Sequence, residues 1–181
     1  MSLEKKMLGE DRRKWILNEL KTSQQPLTGA QLAKQTNVSR QVIVGDITLL
    51  KAKNEPIIAT SQGYLYLQQN VNTDVFEATI VCEHTPEQTE TELNIIVDYG
   101  VTVKDVKIEH PLYGDLTASI MVSNRIDVQN FLHKIKETNA NLLSNLTSGV
   151  HIHTLQAQSE TAIEQAKQSL RKAGILVDEE I

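Results

Sequence analysis

Apolar positions keep a helical spacing through the first part of the chain and then give way to alternating, strand-like runs separated by further helical stretches. Between Glu10 and Lys21, Ile16, Leu17 and Leu20 recur at helical spacing with charge on the opposite side, which predicts an amphipathic helix. Pro26-Leu27-Thr28-Gly29 interrupts it. Thr28 is placed to N-cap a short helix over Gly29–Gln35 with Leu32 and Ala33 inward. Thr36-Asn37-Val38-Ser39 reads as a turn. Asn37 tolerates the left-handed conformation, Val38 can plug a core, and Ser39 can cap the next helix. From Arg40 to Lys53, Ile43, Ile47 and Leu50 form one buried stripe. Two short β-prone runs follow, Ile57–Ala59 and Tyr64–Leu67, around Thr60-Ser61-Gln62-Gly63, a hairpin turn in which Gly63 can take positive φ.

Gln68 to Thr73 is polar and reads as a linker, which sets the expected domains at residues 1–67 and 74–181 with 68–73 between them. In the second domain Val75–Cys82 is β-prone. Thr85-Pro86-Glu87-Gln88 looks like a helix start, with threonine as cap and proline at the first helical position. That helix is expected to run to Tyr99, bury Leu93, Ile96 and Val97, and stop at Gly100. Val101–Ile108 and Leu116–Val122 alternate as strands around a turn-rich corner, His110 to Asp115. Asp127 is expected to cap a helix burying Val128, Phe131, Leu132 and Ile135. Gly149 precedes a strand over His151–Ala157, and Ser159 is expected to cap a last helix with Ile163, Ala166 and Leu170 inward and Gly174 at its end. The fold class is therefore α+β: an N-terminal winged helix-turn-helix, and a C-terminal domain whose mostly antiparallel sheet is covered by helices.

Charge sharpens this division. Residues 1–67 carry ten Lys and Arg against six Asp and Glu, whereas residues 68–181 carry eight against seventeen. A basic module on an acidic remainder is the pattern expected when one end meets a polyanion. The single cysteine, Cys82, excludes a disulfide framework and reads as a small buried hydrophobe. No apolar run reaches the roughly 18 residues of a membrane span, and the first residues lack an apolar signal core, so a cytoplasmic protein is expected.

In a winged helix-turn-helix the third helix enters the major groove with its N-terminal residues nearest the bases. Here these are Ser39, Arg40 and Gln41, with Val44 one turn on. Arginine pairs bidentately with guanine, glutamine with adenine, and valine can meet a thymine methyl. Lys51 and Lys53 are the candidates for phosphate contacts. The segment Leu27–Leu67 resembles the module of biotin-repressor-type bacterial regulators, through Leu32-Ala33, Val38-Ser39-Arg40, Ile43, Asp46-Ile47 and Leu50. It departs from them at Gly45, where such modules often carry Arg or Lys. Glycine inside a helix costs about 1 kcal/mol relative to alanine, and a phosphate contact is lost with it.

The chemistry-bearing stretch is Val150-His151-Ile152-His153-Thr154. Two histidines one residue apart on a strand share a face and can share a metal ion. One packed and one wet histidine is the competing reading, and the pair alone does not decide between them. His84 stands at a strand–helix junction, and Glu92, eight residues on, borders the buried face of the predicted helix. An unpaired carboxylate pressed against an apolar face needs a partner. His84, Glu92, His151 and His153 thus form a candidate site for one divalent transition ion such as Ni²⁺, Zn²⁺ or Fe²⁺, in preference to Ca²⁺ or Mg²⁺. A helical His-Glu-x-x-His is absent, so the hydrolytic zinc pattern is missing. His110 is either a corner histidine bonded to backbone or, with Tyr113, a wall of a small-ligand pocket. His133 falls on the wet side of a helix.

Three blocks together resemble the niacin-responsive transcriptional repressors, which join this kind of helix-turn-helix to a C-terminal three-histidine domain. They are His84-Thr85-Pro86-Glu87 with Glu92, His110-Pro111-Leu112-Tyr113-Gly114-Asp115-Leu116, and Gly149-Val150-His151-Ile152-His153-Thr154. The resemblance implies a metal site at His84, Glu92, His151 and His153. It also implies a homodimer on a double-stranded DNA operator, and nicotinic acid as co-repressor of genes for NAD synthesis or niacin uptake. His110 and Tyr113 are the expected effector contacts. A competing reading is a metal-dependent hydrolase or isomerase positioned by its N-terminal module. It lacks a separate general base of suitable spacing, so no enzyme is expected.

Overall fold

Residues 7–67 and 75–177 are described by the computed structural model, and the chain separates into two compact units, Met1–Val71 and Asn72–Ile181. The expected linker, residues 68–73, lies outside the described residues.

The first unit places α1 (Gly9–Thr22), α2 (Gly29–Thr36) and α3 (Arg40–Ala52) around one core, followed by the hairpin of β1 (Ile57–Ala59) and β2 (Tyr64–Tyr66). Local signals account for the helix boundaries. Thr28 and Gln31 form a capping box at the start of α2, Asn37 adopts the left-handed conformation at its end (φ 53°), and the Ser39 side chain caps α3. Gly63 takes the positive φ that closes the wing, and Thr60 N–H donates to its carbonyl at 2.8 Å. Ile16, Leu20, Leu32, Ile43, Ile47 and Leu50 fill the core. A buried ion pair ties α1 to α3. Arg12 Nε donates to Asp46 Oδ2 at 2.5 Å, and Arg13 reaches Oδ1 at 3.2 Å. Both Arg12 and Asp46 are buried, and the periodicity of neither helix announces the pair.

The second unit runs β3 (Phe76–Glu83), a 3-10 turn (Pro86–Gln88), α4 (Thr89–Asp98), β4 (Thr102–His110), β5 (Gly114–Val122), α5 (Arg125–Thr138), a 3-10 turn (Leu143–Thr147), β6 (Val150–Ala157) and α6 (Glu160–Lys172). The sheet has the order β3-β6-β4-β5, and every neighbouring pair is antiparallel. β3 and β4 therefore run the same way with β6 inserted between them, a split β-α-β whose crossover is α4. Leu93, Ile96, Val103, Leu155, Ile163 and Leu170 build the core between sheet and helices.

Three local expectations change. The helix expected to start after Thr85 is broken into a 3-10 turn and α4, although the Thr85–Gln88 capping box forms. α5 begins earlier than expected. Asn124 is its N-cap, accepting from Asp127 N–H at 3.0 Å, while the Asp127 carboxylate accepts from Ser123 N–H at 3.0 Å. Asp127 is thus a buried third-position partner and not the cap. Ser159 precedes α6 in extended backbone, without a side-chain cap bond. Among the described residues no helix is long and apolar enough to cross a membrane.

Candidate functional site

Strand alternation puts His151, His153, Leu155 and Ala157 of β6 on the buried face of the sheet. α4 crosses that face and lowers Glu92 onto it, 1% exposed. His84, just past the end of β3, completes the group, and one glycine makes this possible. Gly149 sits at φ +102°, and a Cβ there would lie 2.4 Å from the His84 carbonyl oxygen. Only glycine lets the chain entering β6 pass this close to the chain leaving β3.

The three rings converge on one carboxylate. His84 Nε2 lies 2.8 Å from Glu92 Oε2, and His151 and His153 Nε2 lie 3.2 and 3.4 Å from Oε1. The last contact is a proximity without hydrogen-bond geometry, which leaves His153 Nε2 a buried nitrogen lacking a hydrogen-bond partner. Neighbouring rings stand edge to face, with centroids 4.9 Å apart for His84–His151 and 4.8 Å for His151–His153.

The opposite nitrogen of each ring decides its proton. His84 Nδ1 is 2.8 Å from the Thr85 carbonyl, His151 Nδ1 is 2.8 Å from the Gly149 carbonyl, and His153 Nδ1 is 2.6 Å from the Asp105 carbonyl. A carbonyl oxygen only accepts, so each Nδ1 carries the hydrogen. In the neutral rings all three Nε2 atoms then present lone pairs towards Glu92, whose oxygens also present lone pairs. Such a cluster is electrostatically complete only with positive charge between its members. This is how metal-ligating histidines are oriented, with the outer N–H tied to a carbonyl. A β-bulge between Val103 and Asp105 falls where the Asp105 carbonyl meets His153.

The titration of the cluster follows from the same geometry. Burial pushes the Glu92 carboxyl up, but the charge of His153 and the close contacts of the three rings hold it well below the usual carboxylate range. Burial disfavours the charged forms of His84 and His153, yet their contacts with Glu92 raise both above the ordinary histidine value. Cys82 pairs with His151 across β3 and β6. It is buried in the core as expected, but its Sγ also lies within 4.8 Å of ligand atoms of Glu92 and His151, a buried Cys/Glu/His group able to hold a metal ion. Burial above all, then Glu92, pushes this thiol up. Nitrogen, oxygen and sulfur donors together suit a borderline transition ion.

A cavity of about 220 Å³ opens beside the cluster. Leu93, Val106, Ile120 and Phe131 supply apolar walls, residues 140–144 close it, and His84, Glu92, His151 and His153 line its polar end. The sequence carries no periodic signal for the closing segment, which is a loop and a 3-10 turn. Thr89 also lines this space.

His110 and Tyr113 are placed elsewhere. Both belong to the tip of the β4–β5 hairpin, where Leu112 and Tyr113 N–H donate to His110 Nδ1 at 3.2 and 3.3 Å. Tyr113 is 70% exposed and stacks obliquely on His110 with centroids 5.0 Å apart. The turn uses the imidazole as its own acceptor, and neither residue lines the cavity. The two residues expected to contact the effector therefore stand at the hairpin tip, apart from the cavity lining. His133 is exposed and faces Glu137 on the same helix at 3.1 Å.

In the first unit Arg40 and Gln41 are exposed at the N-terminus of α3, with Val44 half-buried one turn on. Lys51 and Lys53 are exposed at its far end. The Ser39 hydroxyl is exposed but accepts from Val42 N–H at 3.4 Å, so the cap engages it. Gly45 lies on the exposed side of α3, and a Cβ added there would have nothing within 4 Å.

Residues 77–179 match the 3H domain family, and residues 12–65 match an HTH domain family. Over 181 aligned residues the chain is 59% identical to the transcription repressor NadR of Bacillus subtilis (strain 168), covering 98% of this chain and 99% of that protein. Over 174 residues it is 35% identical to the probable transcription repressor NiaR of Thermotoga maritima, covering 96% and 98%. Both relatives are described as repressors, which sets aside the enzyme reading.

Proposed function

The chain belongs to the NadR- and NiaR-type transcription repressors built from an HTH and a 3H domain, and from that premise we propose a cytoplasmic homodimer that senses nicotinic acid. Residues 1–67 read the DNA operator, residues 68–73 link, and residues 74–181 dimerise and bind the effector. His84, Glu92, His151 and His153 hold one divalent transition ion, with the Cys82 sulfur at the edge of the set. Ni²⁺, Zn²⁺ and Fe²⁺ all suit these donors. When bound, the ion supplies a Lewis-acidic centre that attracts an anionic ligand.

The observation that carries this reading is the set of three Nε2 lone pairs facing a buried carboxylate, each fixed by an Nδ1–H to a backbone carbonyl. The adjoining cavity supplies the seat for the effector. An apolar cavity of roughly 150 Å³ is enough for benzene. The about 220 Å³ beside the cluster therefore admits a six-membered ring bearing one carboxylate. Its apolar walls suit the ring, and its polar end suits the charge.

On the DNA side, Arg40, Gln41 and Val44 are the base-reading candidates, Lys51 and Lys53 bind phosphate, and Ser39 fixes the start of the helix. The effector acts through a difference in affinity between DNA-competent and incompetent states. Repression rises with nicotinic acid, so scarcity of the vitamin releases genes for NAD synthesis or uptake. The test is calorimetric titration of nicotinic acid into metal-loaded and metal-stripped protein, followed by gel shift on the DNA upstream of its own gene. Metal-dependent heat and a ligand-strengthened shift are expected. Absence of both under every condition refutes the proposal.

A further inference from the structure

Besides His153 Nε2, a second polar atom of the cavity lining has no hydrogen-bond partner among the described residues. Thr89 is the first residue of α4, one helical turn before Glu92, and is 6% exposed. Its Oγ1 is buried without a hydrogen bond, and the residue lines the cavity beside the cluster. A helical threonine commonly bonds back to the carbonyl four residues earlier. For Thr89 that is the carbonyl of Thr85, which already accepts from His84 Nδ1 at 2.8 Å and from Gln88 N–H at 3.0 Å. Both of its lone pairs are occupied. The carbonyl three residues earlier, on Pro86, takes the Thr89 backbone N–H. Valine would fill the same volume without burying an unpaired hydroxyl, which is unfavourable in itself. The hydroxyl is therefore free for something that enters the cavity.

We propose that the Thr89 hydroxyl recognises the carboxylate of a small aromatic acid bound in this cavity, donating its hydrogen to one carboxylate oxygen. The inference rests on the reading of the cavity as the effector seat. The position of the hydroxyl favours an anion. Thr89 stands at the N-terminus of the ten-residue α4, the end at which the helix dipole favours negative charge. Among the described residues that line the cavity there is no lysine or arginine, so apart from the ion itself the side-chain donors open to a carboxylate there are neutral ones. A hydroxyl held in an apolar wall is a strong discriminator, because a ligand without an acceptor leaves it unpaired.

The experiment is calorimetric titration of the full-length, metal-loaded protein with nicotinic acid, using wild type, Thr89→Val and Thr89→Ser. Valine should weaken binding roughly ten- to a hundredfold, the worth of a hydrogen bond to a charged group, and serine should stay within a few-fold of wild type. Metal content should be the same in all three, and the stripped valine variant should melt no lower than wild type. Thr89→Ala serves the same arm should valine disturb folding. Benzoic acid, which lacks the ring nitrogen, should show the same valine penalty. Benzoate binding that ignores the substitution would place the hydroxyl on the ring nitrogen and overturn the carboxylate assignment. Nicotinic acid bound equally by wild type and valine overturns the inference alone. A wild type that takes up no nicotinic acid removes the effector reading and this inference with it.

Discussion

Replacing Glu92 by glutamine keeps the volume of the side chain and removes the charge on which three imidazole nitrogens converge at 2.8, 3.2 and 3.4 Å. Two roles for that charge predict opposite results. As a metal ligand, Glu92 matters chiefly when the ion is bound. In the stripped protein a glutamine amide can offer its hydrogens to two of the Nε2 lone pairs, so the stripped variant should lie within about 1 kcal/mol of wild type. As a purely structural anion, its loss breaks a buried ionic cluster, which costs about 3–5 kcal/mol. Loading adds a second magnitude. An ion present at a hundredfold excess over its Kd stabilises the folded protein by about 2.7 kcal/mol. In a unit of this size each kcal/mol moves Tm by about 4–8 °C, so wild type should gain roughly 10–20 °C. Glu92→Gln should lose most of that gain. Scanning calorimetry of stripped and nickel- or zinc-loaded samples reads both quantities. A full metal-induced rise in the variant would refute ligation by Glu92, and a stripped variant weakened by several kcal/mol would make the charge structural.

Asp46→Asn leaves Arg12 buried without its counter-charge and should destabilise the helix-turn-helix unit by about 3–5 kcal/mol. Urea unfolding followed by the fluorescence of Trp15, which packs against that core, measures it. Gly45→Ala meets open space and should stabilise α3 by up to about 1 kcal/mol. Gly45→Arg at the same position should add a phosphate contact and steepen the salt dependence of operator binding by about one unit of log–log slope. pH should act on the stripped cluster from both sides. Glu92 raises His84 and His153, so their stabilisation is complete below the ordinary histidine value of 6.5 and is lost as pH climbs through their higher folded values. Glu92 itself is depressed, so its contribution is present above the ordinary carboxylate value of 4.5 and is lost only as pH falls through its lower folded value. Stripped protein should therefore melt highest between those limits, and the metal-induced rise should shrink on acidification as protons displace the ion. A stripped melting temperature independent of pH would contradict both assignments.

Reading the first unit from its sequence succeeds where the determinants are local. Thr28 with Gln31, left-handed Asn37, capping Ser39 and the stripe of Ile43, Ile47 and Leu50 each lie within a turn or two of what they specify. The Arg12–Asp46 pair spans 34 residues, and both members sit in stretches whose charge looks like an ordinary wet helix face. Nothing short-range distinguishes an arginine destined for burial from one destined for water. In the second unit, α5 starts before Asp127 because Asn124 and Asp127 both suit a helix start. The choice between them depends on Ser123, whose N–H needs the aspartate.

The cluster was legible for a different reason. Period-two spacing places His151 and His153 on one face, and a carboxylate bordering an apolar helix stripe demands a partner. What spacing cannot carry is enclosure. The cavity exists because residues 140–144 and α4 close over the sheet from separate parts of the chain, and those closing residues share no periodicity with the walls they complete. Without that enclosure the turn-rich corner at His110 and Tyr113 is the more conspicuous candidate, since histidine, tyrosine and proline crowd a short loop. An imidazole accepting two backbone N–H groups at its own turn is engaged in holding that turn. The three clustered imidazoles invert this arrangement, each spending its N–H on a carbonyl and keeping its lone pair for the interior. Which ring nitrogen the backbone engages separates a histidine that builds structure from one kept available for a ligand.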